Sequence, residues 1–197
     1  VVCGARSRFY AKRTEPGSTV GAQLLPGASR ALLGVSATAL AERHAPLRDF
    51  WGDGVDKLHD ALARAETPGA RLAVFERALL AQLRPAAPLS VHVEQAIAAL
   101  DRGAGLSEVL AHAGCSHRHF IARFRDATGL APKRYARLRR FQRVLAQVDG
   151  CPDWSGLAAE HGYFDQAHLA RDFRQFAGLP ARGYRDGRLH PRHVRVD

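Results

Sequence analysis

The chain has 197 residues, of which 46% are hydrophobic, enough to bury a sizeable core in one large domain or two small ones. Its formal net charge of +10 favours a polyanionic partner. The longest weakly polar run, ALLGVSATALA, is too short to cross a bilayer, and the three cysteines are far apart. These features predict a cytoplasmic protein with no membrane segment, disulfide framework, metal site or cofactor.

The first part of the chain predicts a small α+β domain. The sequence begins at Val1 and contains no Met, which predicts that the natural start is missing. The segment STVGAQLLPG alternates weakly and ends in Pro-Gly, which is typical of a strand followed by a turn. Ser36 is a candidate helix cap, and apolar spacing predicts helices over 55–65 and 70–83. We therefore expect residues 1–87 to form an incomplete N-terminal regulatory or sensor-like domain.

A break in the helical pattern predicts a domain boundary. The stretch RPAAP, residues 84–88, places two prolines in the pattern, which resumes with apolar residues at Val93, Ile97 and Leu100. Everything after the break has helical spacing, interrupted by glycines. We expect an all-helical domain over 91–186, followed by a disordered basic tail over 187–197.

The second domain contains a repeat with a spacing of 49 residues. Ser116 and Asp165 resemble helix N-caps, and each is followed by the same apolar register. The matching pairs are Phe120 and Leu169, Phe124 and Phe173, Gly129 and Gly178, and Tyr135 and Tyr184. A register kept over this length predicts two copies of one structural unit.

Each copy has the pattern of a helix-turn-helix motif. A short helix, over 107–113 or 154–161, leads through a Gly-containing turn to a second helix opened by Ser116 or Asp165. Between the copies, one apolar face is formed by Tyr135, Leu138, Phe141, Leu145 and Val148. This pattern predicts a long linker helix that joins the two motifs.

Basic residues are concentrated around the first motif and the linker. The segment from Arg118 to Arg143 holds many basic residues and one acid, Asp126. The pattern indicates a polyanionic partner, and Arg137 is predicted to contact a phosphate. A solvated helix face in an Arg-rich protein is the alternative explanation.

The second helix of each motif has a face that could read DNA. If Phe120 and Phe124 anchor the first helix, another face is formed by Arg118, Ile121, Ala122 and Arg125. The corresponding face of the second copy is formed by Gln166, Ala167, Ala170, Arg171 and Arg174. Small side chains allow close approach in a major groove, and Arg can pair with a guanine edge.

The second domain resembles the DNA-binding domain of AraC-type transcriptional regulators. The resemblance covers residues 91–186 and rests on GCSHRHFIARFRDATGLAPKRYARLRRFQ, LAAEHGYFDQAHLARDFRQFAGL and Tyr184. It implies seven helices with two helix-turn-helix units and a long central helix. The base-reading positions of the family fall on Arg118, Ile121, Ala122, Gln166, Ala167 and Arg171.

The resemblance implies a sequence-specific regulator that binds double-stranded DNA through recognition helices in successive major grooves. The stretch LLPGASRALLGVSATALAERHAPLRDFWG is similar to a domain attached to some small regulators of the family. Such domains commonly sense a small molecule or mediate dimers, often through a β-barrel. RNA polymerase, a small-molecule effector and a second copy of the chain are therefore further candidate partners.

Two other classes of function stay open at this point. A non-specific, architectural nucleic-acid-binding protein would need only the charge. A ligand-binding or enzymatic activity could reside in residues 1–87. The chain has no G-x-S-x-G, H-E-x-x-H or G-x-x-x-x-G-K motif, which favours a protein that is not an enzyme and has no catalytic residues.

Overall fold

The computed structural model describes residues 1–10, 18–148 and 153–185. Within these ranges the protein is mainly helical, with one small sheet near the N-terminus. Strand β1, Val2–Cys3, pairs in antiparallel fashion with strand β2, His44–Ala45. Among the described residues, no helix is both long and apolar enough to span a membrane. The predicted tail over 187–197 and Cys151 lie outside the described residues.

Five helices follow in the N-terminal part: α1 Ala28–Leu33, α2 Ala37–Leu40, α3 Arg48–Trp51, α4 Gly54–Arg64 and α5 Pro68–Ala81. Helices α4 and α5 confirm the two helices predicted over 55–65 and 70–83. Ser36 caps α2 as predicted, because its hydroxyl accepts a hydrogen bond from the Ala39 N–H at 3.3 Å. A small core forms around Leu32, Leu33 and Leu40.

The strand predicted over 18–27 is wrong. These residues are irregular and pair with neither strand of the small sheet. Their alternation is weak, and a segment with no neighbouring strand has no ladder to complete its backbone hydrogen bonds. The predicted turn is present at the end of the segment, where Gly27 has a φ of +88°.

Seven helices form the C-terminal part: α6 Val91–Arg102, α7 Leu106–Ala111, α8 His117–Thr128, α9 Pro132–Leu145, α10 Trp154–Glu160, α11 Gln166–Phe176 and α12 Ala181–Arg185. The described residues thus contain the seven helices that the resemblance implied. The predicted break at 84–88 lies between α5 and α6. Helix α9 is the predicted linker, and the pairs α7–α8 and α10–α11 are the two helix-turn-helix motifs.

The two copies of the repeat bury equivalent residues in two separate cores. Phe120 and Phe124 are 1% and 0% exposed in the first core, and Leu169 and Phe173 are 1% and 0% exposed in the second. The linker α9 contributes to both cores, with Tyr135 at one end and with Phe141 and Val144 further along. The 49-residue register therefore corresponds to a real structural repeat.

The N-terminal part packs against the end of the first recognition helix. The Gly27 N–H donates to the carbonyl of Ala127 at 2.9 Å, at the C-terminal end of α8. Arg30 forms a two-pronged ion pair with Asp126, with N···O distances of 3.0 and 2.7 Å. These contacts tie the turn before α1 to the helix that carries the first reading face.

A second contact runs from the N-terminal segment to the end of α11. The Phe9 N–H donates to the carbonyl of Gln175, and the side-chain amide of Gln175 donates to the carbonyl of Ser7, both at 3.0 Å. Arg134, on α9, reaches the Ser7 hydroxyl at 3.5 Å. Residues 7–9 therefore touch both the linker helix and the second motif.

Candidate DNA-binding surface

Both recognition helices begin with the predicted caps. In the first motif, the Ser116 hydroxyl accepts a hydrogen bond from the His119 N–H at 3.4 Å. In the second, the Asp165 carboxylate accepts one from the His168 N–H at 2.6 Å. Each cap satisfies a backbone donor that the first turn of a helix leaves unpaired, which fixes where α8 and α11 begin.

The first predicted reading face is on the side of α8 away from the core. Arg118, Ala122 and Arg125 are exposed, and Ile121 is half-buried. Because Phe120 and Phe124 point into the core from the opposite side, this face is open to a partner. The structure thus groups the four predicted residues on one accessible face.

The second predicted face has the same arrangement on α11. Gln166, Ala167, Arg171 and Arg174 are all exposed, while Leu169 and Phe173 are buried on the other side. Exposed arginines beside a small Ala leave room for a close approach to a groove. The base-reading roles of both faces stay predictions.

A buried carboxylate joins α11 to the linker helix. Asp172 is 0% exposed and accepts hydrogen bonds from Arg137 Nε and Nη2 at 2.7 and 2.5 Å. Its other oxygen accepts the Tyr163 hydroxyl at 2.9 Å and lies 3.7 Å from a nitrogen of Arg140. Three side chains thus satisfy one charge that would be costly to bury alone.

Asp172 is not among the predicted site residues, although the sequence contains a signal for it. Asp172 stands three residues after Leu169 and directly before Phe173, in the apolar register of α11. A carboxylate on a buried helix face needs a cationic partner. The arginines of the linker were the available partners, and the structure shows which of them serve.

A related arrangement joins α6 to the linker helix. Asp101, at the end of α6, accepts hydrogen bonds from the Tyr135 hydroxyl at 2.8 Å and from Arg139 Nε at 2.7 Å. Arg143 donates to the carbonyls of Leu100 and Asp101 at 3.3 and 3.2 Å. Each half of the domain is therefore tied to α9 by a Tyr–Asp–Arg cluster.

The two tyrosines of these clusters remain neutral donors. Burial raises the pKa of Tyr135 and of Tyr163 well above the usual range, and the neighbouring Asp101 and Asp172 carboxylates raise it further. A phenolate in either position would lie against a carboxylate. Both hydroxyls therefore keep their protons at neutral pH.

The basic linker is thus used largely inside the protein. Arg137, Arg139 and Arg143 bind groups of neighbouring helices, and Arg140 donates to the carbonyl of Gly162 in the turn of the second motif. Arg137 also has a structural role that was not predicted, because its Nε and Nη2 donate hydrogen bonds to Asp172. Its side chain is still 35% exposed, so the phosphate contact stays a prediction that depends on the remaining nitrogen.

In a comparison with known protein families, residues 109–187 match a family model described as a helix-turn-helix domain. Neither the comparison with curated proteins nor the comparison with solved structures finds a match. The matched segment begins within α7 and ends beyond α12, so it covers the linker, the second motif and most of the first motif. Residues 109–187 therefore form a helix-turn-helix domain.

The domain is of the AraC type, as the resemblance predicted. Such a domain binds DNA in a sequence-specific way to regulate transcription, and regulators of this class are not enzymes. Among residues 1–10, 18–148 and 153–185, no group of three or more His, Cys, Asp or Glu side chains could hold a metal ion.

Proposed function

We propose that this chain reads one operator with both recognition helices at once, placing α8 and α11 in successive major grooves on one side of the duplex. The observation that supports the proposal is the pair of equivalent helices, each capped, anchored by two buried apolar residues and exposing an Arg-containing face. The linker helix α9 packs into the cores of both motifs, so one chain carries two reading elements.

The linker supports a fixed spacing between the two elements. Tyr135 on α9 packs edge-on against Phe124 at a ring distance of 5.3 Å, and Phe141 packs against Phe173 at 4.9 Å. The two ion-pair clusters described above add polar ties from α9 to α6 and to α11. Recognition helices held in this way suit contacts about one helical turn apart, roughly 34 Å or 10 base pairs.

The exposed side chains suggest a division of roles. Arg118, Arg125, Arg171 and Arg174 are proposed to pair with guanine edges or phosphates, because only Arg offers a two-pronged donor there. Gln166 suits an adenine, whose N6 and N7 match an amide. Ala122 and Ala167 are short enough to let the helix backbone approach the bases, and Ile121 adds an apolar side chain to the first face.

Residues 1–87 are proposed to regulate this reading. This proposal is supported by two sets of contacts. Gly27 and Arg30 bind the end of α8, and residues 7–9 bind Gln175. A small-molecule effector or a second copy bound to this region would act on both motifs through those contacts. RNA polymerase is the further proposed partner, and the cytoplasm, where operator DNA and polymerase meet, is the proposed location.

Selection of binding sites from random duplex DNA tests the proposal. We expect a preferred sequence with two parts, and footprinting of that duplex should show two protected major-groove segments centred about 10 base pairs apart. Affinity should fall with salt, with a log–log slope of about −0.9 for each phosphate contact. Equal binding to selected and random duplex at the same salt would instead support a non-specific architectural protein.

A further inference from the structure

Phe164 is the most exposed large hydrophobic side chain among the described residues, at 93%. It lies in the turn of the second motif, one residue before the cap of α11. An aromatic ring held almost entirely in water gains nothing from the hydrophobic effect in the free protein. The position is therefore one where a bound partner would cover the ring with a gain in affinity.

The residues on either side of Phe164 fix its direction. Tyr163 is buried, donates to Asp172 and lies under the Arg140 guanidinium, whose carbon is 4.0 Å from the ring centre. Asp165 is held by its hydrogen bond to the His168 N–H. With both neighbours anchored in the protein, Phe164 is presented outward by a turn that has little freedom to rotate it inward.

The surroundings of Phe164 favour DNA as the partner. It stands at the N-terminal end of α11, the end that a helix-turn-helix motif directs towards base edges. Next to it are the exposed Gln166 and Ala167, with the positive Arg171 further along the same helix. The apolar group that a major groove offers to such a ring is the 5-methyl group of thymine.

We propose that Phe164 packs on a thymine 5-methyl group at the edge of the segment read by α11, and so contributes to sequence specificity there. The inference rests on the proposed function, since it requires α11 to lie in a major groove. The 49-residue repeat places Cys115 at the equivalent position of the first motif, where it is also exposed. Its side chain is shorter, so the thymine contact belongs to the second motif.

The test uses the full chain and the duplex obtained by selection. Each thymine of the segment protected by α11 is replaced in turn by deoxyuridine, which removes the methyl group and leaves base pairing unchanged. For the wild type, one replacement should weaken binding about fourfold, the value for one buried carbon group. Phe164→Ala should weaken binding to the thymine duplex at least as much. The variant should bind the thymine and deoxyuridine duplexes with equal affinity.

Two further variants make the result specific. Phe164→Leu keeps an apolar side chain and should keep part of the response to thymine. Leu72→Ala removes a side chain that is 58% exposed on α5, outside the two motifs, and should change neither affinity nor thymine response. Melting temperatures close to that of the wild type would show that the variants are folded, as expected for exposed positions.

The outcomes separate this inference from the proposed function. If the wild type selects a sequence but no thymine responds to uracil, or if Phe164→Ala keeps full affinity, the thymine contact is wrong and sequence reading by α11 stands. The thymine contact is also wrong if the deoxyuridine replacement weakens binding by the same factor in Phe164→Ala as in the wild type. If Phe164→Ala binds DNA normally but fails in transcription with RNA polymerase, the ring docks on a protein instead. A wild type that selects no sequence overturns both proposals.

Discussion

Asp172 on the second recognition helix accepts two hydrogen bonds from Arg137 on the linker helix, at 2.7 and 2.5 Å, and has no exposed surface. The linker is therefore held to the second motif by a buried charge as well as by packing of aromatic rings. A change at this pair acts on the orientation of α11 without touching its reading face.

Asp172→Asn should destabilise the protein by about 2 to 4 kcal/mol, because it leaves Arg137 and Arg140 facing a neutral group inside the fold. Chemical denaturation measures the loss. The control is Asp56→Asn, which breaks an exposed ion pair with Arg48 and should cost less than about 1 kcal/mol. Equal losses of unfolding free energy in the two variants would show that the buried ion pair stabilises the protein no more than the exposed one.

Arg137→Ala should lower the stability of the fold and weaken the affinity for every DNA sequence. It leaves the carboxylate of Asp172 with Tyr163 and the more distant Arg140. If Arg137 also touches a phosphate, the salt slope of binding should become shallower by about 0.9. Asp172→Asn is the comparison, since it should disturb the fold and leave the slope unchanged. An unchanged slope in Arg137→Ala would remove the phosphate contact.

Arg118→Ala and Arg171→Ala should each relax base preference, in different protected segments. The expected cost is about 1 to 3 kcal/mol on the selected duplex where the lost contact is a paired guanine. Arg123→Ala is the matched control on α8, because Arg123 is exposed but lies outside the predicted reading face. If both reading-face variants lose affinity equally for selected and random DNA, the two helices are not reading sequence.

Residues 91–186 expressed alone should unfold cooperatively and bind duplex DNA, because both motifs carry their own cores. We expect a lower melting temperature than for the full chain, since the fragment lacks the Gly27 contact with Ala127 and the Arg30 pair with Asp126. Thermal unfolding of the fragment and of the full chain provides the comparison. A fragment with no cooperative transition would contradict an independent DNA-binding domain.

Glu42 should make stability depend on acid pH. Burial disfavours its charged form, but hydrogen bonds from Ser7, at 2.8 and 2.6 Å, and the charges of Arg6 and Arg134 outweigh that effect and lower its pKa. Because the pKa is lower in the folded state, the stabilisation is complete above the ordinary value of 4.5 and is lost as the pH falls through the folded value.

The variant Glu42→Gln should therefore be less stable than the wild type at neutral pH, and the difference in unfolding free energy should narrow at acid pH. Urea denaturation at both pH values measures it. Glu76→Gln, at an exposed position of α5, serves as the control and should show no such gap. A gap that is the same at both pH values would mean that the charge of Glu42 is not responsible.

The local pattern of the sequence determined the helices and the two motifs. Ser116 and Asp165 cap the helices that their positions predicted, and the residues four and eight places later are buried. Such features depend on a few neighbouring residues, because a cap and a helical face are set by spacing along one helix. The same logic grouped Arg118 with Arg125 and Arg171 with Arg174.

The sequence pattern did not predict the small sheet. Its two strands have two residues each and come from segments about 40 residues apart, so neither shows an alternating period that the sequence could reveal. The alternation over 18–27 looked more like a strand but found no partner. Strand formation depends on a neighbouring chain segment, and only the folded structure supplies one.

The partners of the arginines were likewise decided by the tertiary structure. Arg137 and Asp172 are 35 residues apart, and Arg139 and Asp101 are 38 apart, so their pairing depends on how α6, α9 and α11 pack. Seen along the sequence, the linker is a basic run that could face DNA or solvent. In the fold, burying Asp172 requires nearby cations, and this turns part of that run inward and leaves α8 and α11 to present the exposed arginines.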